Sequence, residues 1–105
     1  VKKYEPAASK QLLSEKEAKT MQEFMAGVVA DGTASKLNGQ SYTAYGKTGS
    51  AEFNNNKGES HSWFVGYAHR EDKEDIAVVV IAEGAGAGST VAVPAAKQVF
   101  DVYYR

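Results

Sequence analysis

The sequence predicts an α+β fold in which a three-stranded antiparallel sheet is flanked by an N-terminal and a C-terminal helix. Three observations carry this prediction. A capping box at Ser14 opens a stretch with helical apolar spacing. Three β-favouring runs follow between residues 42 and 82, separated by short polar segments that favour an antiparallel meander. A glycine-rich loop then leads into a second helical stretch.

The first helix is predicted to begin after Ser14 and to end near Asp31-Gly32. The Ser14 hydroxyl can accept from the Glu17 backbone N–H while the Glu17 carboxylate reaches back. Gly32 suits the left-handed position that ends many helices. Apolar residues, the two methionines among them, recur at helical spacing and are expected to pack into the core: Ala18, Met21, Met25, Val28 and Val29.

Three strands are predicted, over Tyr42 to about Phe53, His61 to His69 and Ile76 to Ala82. Asparagine- and glycine-rich residues 54–58 predict one turn, and charged residues 70–75 predict the other. The second strand is apolar on both faces, so we expect it to be covered on both sides. The third strand is the most apolar run, so we expect it to be central in the sheet.

The last helix is predicted to follow the Gly84–Gly88 loop and to run to about Tyr104. Ser89-Thr90 would be its N-cap. Pro94 would fall in its first turn, where the missing N–H costs nothing. Tyr103 and Tyr104 are expected to anchor this helix.

Composition limits the classes of function. The 105 residues suffice for one small domain or part of one, and 43% hydrophobic and 24% charged residues are typical of a globular chain. With a net charge of −1 and dispersed lysines and arginines, the chain lacks the basic stripe of a nucleic-acid binder. The absence of cysteine excludes disulfides and thiolate metal sites. No apolar run approaches the roughly 18 residues of a membrane span.

The first predicted strand contains Lys47, Thr48, Gly49 and Ser50. The ammonium could attract an anionic ligand, the two hydroxyls could donate to it, and Gly49 would let a peptide backbone lie against the strand. Such a strand would bind a carboxylate-bearing peptide as an added strand. Side chains alternate between the two faces of a strand, so Thr48 and Ser50 share one face and Lys47 points to the other. The three converge only if the strand is twisted, bulged or at an edge. Alternatively, Lys47 is a solvated edge-strand lysine that opposes aggregation.

The extended motif is more specific than its Lys-Thr-Gly centre. Residues 46–52 (Gly-Lys-Thr-Gly-Ser-Ala-Glu) and 61–67 (His-Ser-Trp-Phe-Val-Gly-Tyr) resemble the third active-site motif of the serine penicillin-recognising enzymes. With the helix end Gly-Val-Val-Ala-Asp-Gly-Thr-Ala at 27–34, residues 14–105 resemble the C-terminal end of a penicillin-binding protein transpeptidase domain, most like the class B type. We therefore expect residues 1–105 to be one C-terminal segment of such a domain, within a β-lactamase/transpeptidase-like fold.

The resemblance implies a function and residue roles. The parent would be a peptidoglycan D,D-transpeptidase that binds penicillin and cross-links stem peptides through an acyl-enzyme. Lys47 would support the electrostatics and proton movement of the site, and the Ser50 backbone N–H would be one oxyanion-hole donor. Lys47, Thr48, Gly49 and Ser50 would bind substrate, with Thr48 and Ser50 at its carboxylate. No cofactor and no metal is implied.

The resemblance also implies partners and a location. The ligands would be the D-Ala-D-Ala stem peptide and β-lactam antibiotics. The upstream part of the same protein would complete the site, a membrane anchor would lie upstream, and no nucleic acid would be bound. The location would be the extracytoplasmic face of a bacterial cell membrane.

The chain departs from the family pattern in its missing nucleophile. No serine has a lysine three residues later, and Ser35-Lys36-Leu37-Asn38 misses Ser-x-Asn by one position. We therefore expect the catalytic serine upstream, and we expect this chain alone to be inactive and to expose the sheet face that the missing part would cover.

Several other functions stay open at this point. Within the fold, a serine β-lactamase, a D,D-carboxypeptidase or a β-lactam sensor would share the motif, as would a scaffold that has lost its nucleophile. A nucleotide-binding P-loop also ends in Gly-Lys-Thr, although its first glycine would fall on Ser41. A metal site at His61 and His69 is disfavoured by their separation along one strand.

Overall fold

The computed structural model describes residues 3–52 and 60–105 and confirms the predicted α+β architecture. Its strands form one antiparallel sheet in the order β1-β2-β3. The predicted turn at 54–58 and the end of the first predicted strand, Phe53, lie outside the described residues. The elements are α1 (Glu15–Asp31), a 3₁₀ turn (Ser35–Leu37), β1 (Thr43–Glu52), β2 (Ser60–Arg70), β3 (Lys73–Ala82) and α2 (Ala92–Tyr103).

Helix α1 has the predicted boundaries, but its C-terminal end has a different cause. The Glu17 N–H donates to Ser14 Oγ at 3.1 Å and the Ser14 N–H donates to Glu17 Oε1 at 3.0 Å, so the capping box is confirmed. Gly32 has φ −104°, which is not the left-handed conformation. Glycine is needed there because a β-carbon would lie 2.9 Å from the Val28 carbonyl oxygen. The left-handed cap predicted from the sequence is therefore wrong.

The strand order corrects a second prediction. β2 pairs with both β1 and β3, and β3 pairs only with β2 among the described residues. The most apolar strand is therefore at an edge, and the expectation that it is central is wrong for the described sheet. The apolar content of a strand indicates how much of its surface is suited to burial. It does not determine the position of the strand in the sheet.

One face of the sheet, here called the covered face, packs against α2 and carries the core. Phe64 and Ala68 of β2 are fully buried on it, and Phe64 meets Phe100 of α2 edge-on with ring centroids 6.4 Å apart. The Phe64 ring lies over two glycines, Gly46 and Gly66. A β-carbon at either position would lie within 2.4–2.5 Å of ring atoms. These glycines therefore make room for the largest core side chain of the sheet.

The opposite face, here called the open face, presents apolar side chains to solvent. Trp63 and Val65 of β2 are 36% and 49% exposed, and Val79 and Ile81 of β3 are 60% and 51% exposed. The prediction that β2 is covered on both sides is therefore not met within this chain. The exposed sheet face expected of the isolated chain is what the structure has.

Helix α1 buries less than its apolar stripe predicts. Val29 is its one fully buried residue, Met25 is half-buried, and Met21 is 52% exposed. Phe24 is 67% exposed. Of the predicted stripe, only Val28 and Val29 in the last turns of α1 reach the core. The expectation that Ala18, Met21 and Met25 pack there is therefore wrong.

Helix α2 is held at both ends by β2. It begins at Ala92, with no side-chain cap at the preceding residue, so the predicted Ser89-Thr90 cap is wrong. Its first N–H, that of Ala92, donates instead to Ser62 Oγ at 3.1 Å. At the other end, the Tyr104 hydroxyl donates to the Ala68 carbonyl at 2.8 Å. The expected anchoring by Tyr103 and Tyr104 is confirmed, since Tyr103 also donates to the Glu74 carbonyl at 3.0 Å.

Within the described ranges, no helix is long and apolar enough to cross a membrane.

Candidate active site

The lysine-containing motif lies on β1, at one edge of the sheet. Its pairing with β2 is regular, running from Lys47 opposite Val65 to Ser50 opposite Ser62 without a bulge. Thr48 and Ser50 therefore belong to the covered face, and Lys47 and Gly49 to the open face, as parity predicts. Residues of both sets nevertheless border one space at this edge, without a bulge.

That space is a shallow groove of about 320 Å³ along the edge of β1. Among the described residues that line it, Lys47 is the one charged side chain. Trp63 and Val65 of β2 supply an apolar wall that the sequence analysis did not assign to a site. Trp63 lies opposite Gly49 and Val65 lies opposite Lys47 in the strand register, so the pairing of β1 with β2 brings both residues to the motif. The lining consists of Lys47, Thr48, Gly49, Ser50, Ala51, Trp63 and Val65.

The Lys47 ammonium is exposed at this groove. Its Nζ donates to the Thr48 carbonyl at 2.7 Å, so the side chain folds back along its own strand. An exposed ammonium has two further donors that an anion could use. The position suits either the binding role or the edge-guarding role that the sequence left open.

Thr48 and Ser50 are held by residues distant in sequence. The hydroxyls of Thr48 and Thr33 lie 2.5 Å apart, which ties β1 to the segment after α1. The Gly88 N–H donates to Ser50 Oγ at 3.3 Å. Neither partner had a sequence signal, because the contacts join residues 15 and 38 positions apart. The motif predicts these hydroxyls as candidate ligand donors, and only the structure shows the contacts that orient them.

Gly49 faces the groove, and the protein itself does not demand a glycine there. A β-carbon at this position would lie 3.6 Å from the Trp63 β-carbon, an ordinary contact distance. This contrasts with Gly46 and Gly66, whose side-chain space is occupied by Phe64. The space above Gly49 is therefore free for a ligand backbone.

Other candidate residues are accounted for by local contacts. His61 Nδ1 accepts from the Gly84 N–H at 3.0 Å, and His69 Nδ1 lies 2.6 Å from Asp75 Oδ1. Hydrogen bonds to Asp75 and Glu71 raise the pKa of His69. Within the described ranges, no group of three or more histidine and carboxylate residues could hold a metal ion.

The P-loop alternative is wrong. Lys47-Thr48 lies inside β1, and the strand continues to Glu52, whereas a P-loop requires a helix directly after these residues. Glu52 is exposed at the end of the described strand. As far as the structure describes it, the groove is thus a candidate site at a strand edge, lined by one lysine, two hydroxyl-bearing residues and an aromatic residue.

Comparisons with known proteins identify the family and the fold. The family model described as penicillin binding protein transpeptidase domain matches residues 2–101. The chain is similar to a crystal structure of the D,D-transpeptidase domain of a peptidoglycan glycosyltransferase from Eggerthella lenta, with a TM-score of 0.67 and 27% identity. That alignment covers 97% of this chain and 24% of the other, so the chain spans about a quarter of its neighbour's length. No curated protein matches. The resemblance read from the motif strands is confirmed: the chain belongs to the penicillin-binding protein transpeptidase domain family.

Proposed function

We propose that this chain supplies the substrate-binding strand of a peptidoglycan D,D-transpeptidase, as the C-terminal segment of its transpeptidase domain. The observation that carries the proposal is the groove along β1, where Lys47, Thr48 and Ser50 border one space at an edge of the described sheet. Family membership supports transpeptidation as the reaction class. In the proposed reaction, the acyl group comes from a peptide ending in D-Ala-D-Ala.

The groove matches the chemistry of that substrate. The stem peptide ends in a carboxylate, and β-lactams such as penicillin carry a carboxylate in a comparable position. Lys47 offers the countercharge, and Thr48 and Ser50 offer hydroxyl donors. Gly49 leaves room for the peptide backbone to align with β1 as an added strand. The Ser50 backbone N–H would donate to the oxyanion that forms during acyl transfer.

The proposal assigns the nucleophile to another part of the same protein. A serine three residues before a lysine is absent from this sequence. The open face, with Trp63 and Val65 beside the groove, is where the upstream part of the domain would pack. The whole protein would then be anchored upstream of this chain and act at the extracytoplasmic face of a bacterial membrane, with peptidoglycan and β-lactams as its ligands.

The test is labelling with a fluorescent penicillin, read after denaturing electrophoresis. The full-length protein that carries this chain is compared with its Lys47→Ala variant and with the 105-residue chain alone. We expect label on the full-length protein, a loss of at least about tenfold in its labelling rate on Lys47→Ala, and none on the isolated chain. Lys36→Ala, at an exposed lysine outside the groove, is the matched control and should label normally.

Each contrary outcome points to a specific alternative. Failure of the folded full-length protein to label would favour a scaffold without a nucleophile. Rapid loss of label through hydrolysis would favour a β-lactamase. Label on the isolated chain would show that a nucleophile lies within these residues and would overturn the proposed division of the site.

A further inference from the structure

The loop between β3 and α2 returns across the covered face to the back of the motif strand. The Gly86 N–H donates to the Ser60 carbonyl at 3.0 Å, and the Gly88 N–H donates to Ser50 Oγ at 3.3 Å. The loop thus spans from β2 to the edge strand that borders the groove. From the sequence, this loop is expected only to connect β3 to the second helix.

Gly88 contacts the sheet backbone to backbone. A β-carbon at this position would lie 2.5 Å from the Trp63 carbonyl oxygen and 2.8 Å from that of Gly49. Main-chain atoms cannot move aside as a flexible side chain can, so the close approach requires glycine. Gly88 therefore lies directly behind Gly49 in the motif.

Ser62 holds this loop in place. It is fully buried, and its hydroxyl donates to the Ala87 carbonyl at 2.9 Å. The same oxygen accepts the Ala92 N–H at 3.1 Å, which fixes the start of α2. One buried hydroxyl thus fixes the residue before Gly88 and the residue that begins the helix.

The bond from Gly88 determines what the Ser50 hydroxyl can do. A serine hydroxyl has one donor and two acceptor sites, and the Gly88 N–H occupies one acceptor site. Within the described ranges, no residue accepts the Ser50 proton. Because Ser50 is exposed and lines the groove, its proton is available to an acceptor placed there.

We propose that Ser62 and the Gly86–Gly88 loop are positioning elements that turn the Ser50 hydroxyl toward a ligand carboxylate in the groove. This rests on the proposed function, in which Ser50 binds that carboxylate. Ser62 touches neither substrate nor the reacting atoms. It acts through Ala87, Gly88 and Ser50, in that order.

The experiment measures acylation rates of the full-length protein with two probes, a penicillin with its free carboxylate and the methyl ester of the same penicillin. Ser62→Ala is expected to slow acylation by the carboxylate form about fivefold and acylation by the ester less than about twofold, since a single hydrogen bond is removed. The double variant Ser50→Ala/Ser62→Ala should match Ser50→Ala, because Ser62 acts through Ser50. Thr90→Ala, at an exposed residue near the end of the loop, is the control and should leave both rates unchanged.

The outcomes separate this inference from the proposed function. If Ser50→Ala leaves the preference for the carboxylate form unchanged, both are overturned. If Ser50→Ala abolishes the preference but Ser62→Ala slows both probes equally, only the positioning role is overturned and Ser62 is merely structural. If Ser62→Ala does not fold, Ser62→Cys, which keeps the approximate volume with a weaker donor, is measured by the same criterion.

Discussion

The two faces of the sheet carry similar apolar side chains, but only one face is buried. On the covered face, Phe64 is 0% exposed under α2. Its neighbour in sequence, Val65, is 49% exposed on the open face. The same contrast holds along β3, where Val78 and Val80 pack against the core while Val79 and Ile81 face solvent. The stability of this chain therefore comes chiefly from one side of its sheet.

The difference shows that the packing of α2, and not the apolar pattern of the strands, decides which face is buried. The covered face is packed by α2 and by the loop that precedes it, and it sets the shape of β1. The open face holds the groove wall, formed by Trp63 and Val65, and further apolar side chains that are exposed in this chain.

The strongest test of this comparison replaces one aromatic residue of the covered face. Phe64→Ala is expected to destabilise the chain by about 3–5 kcal/mol, because it removes a fully buried ring and leaves a cavity. Val65→Ala, one residue away on the open face, is expected to cost less than about 1 kcal/mol. Urea denaturation followed by circular dichroism measures both. Equal losses would show that the two faces contribute alike.

The motif glycines provide a second test. Gly66→Ala is expected to destabilise by about 1–3 kcal/mol, because the new methyl group would lie 2.3 Å from the Tyr45 carbonyl oxygen and 2.5 Å from the Phe64 ring. Gly49→Ala should change stability by less than about 1 kcal/mol, since its nearest neighbour is 3.6 Å away. In the full-length protein, Gly49→Ala should nevertheless slow penicillin acylation, because it fills space in the groove. Thermal melts and acylation rates separate these effects.

Self-association tests whether the open face behaves as uncovered apolar surface. We expect the isolated chain to associate, and Ile81→Lys to shift it toward the monomer while changing stability by no more than about 0.5 kcal/mol. Val80→Lys is the matched variant on the covered face and should unfold the chain, since Val80 packs against the core. Sedimentation velocity reports the association. If the isolated chain without substitutions is monomeric, the expectation is contradicted.

The smallest effect concerns His69, an exposed residue near the turn between β2 and β3. Asp75 first, and then Glu71, raise the pKa of His69 in the folded chain. The protonated histidine therefore adds stability below its ordinary pKa of about 6.5, and this contribution is lost as the pH rises through the raised folded pKa. His69→Gln should remove this contribution. The free energy of unfolding should then differ less between about pH 5.5 and about pH 8.5 in the variant than in the unsubstituted chain. An NMR titration that places the His69 pKa at or below its ordinary value would refute this.

Much of the fold followed from local sequence rules. The capping box depends on Ser14 and Glu17, and the end of α1 at Asp31 depends on the neighbouring Gly32. Each is a contact between residues close in sequence, so the sequence predicts where the helix begins and ends. The candidate site residues Lys47 to Ser50 were predicted in the same way, from a contiguous motif. The predicted cap of α2 failed because it depends on a distant partner: Ser62, which accepts the Ala92 N–H, lies 30 positions earlier in the chain.

The sequence by itself determined the order of elements, the strand parity of the motif and membership of the family, because each is encoded in neighbouring residues and their spacing. Only the tertiary structure decided which sheet face is covered, which strand is central among those described, and which contacts hold Thr48 and Ser50. Those outcomes depend on where α2 and its loop pack after the chain has folded back on itself. An alternating pattern of apolar residues records that a surface is suited to burial, but the side of the sheet on which α2 lies decides which surface is buried.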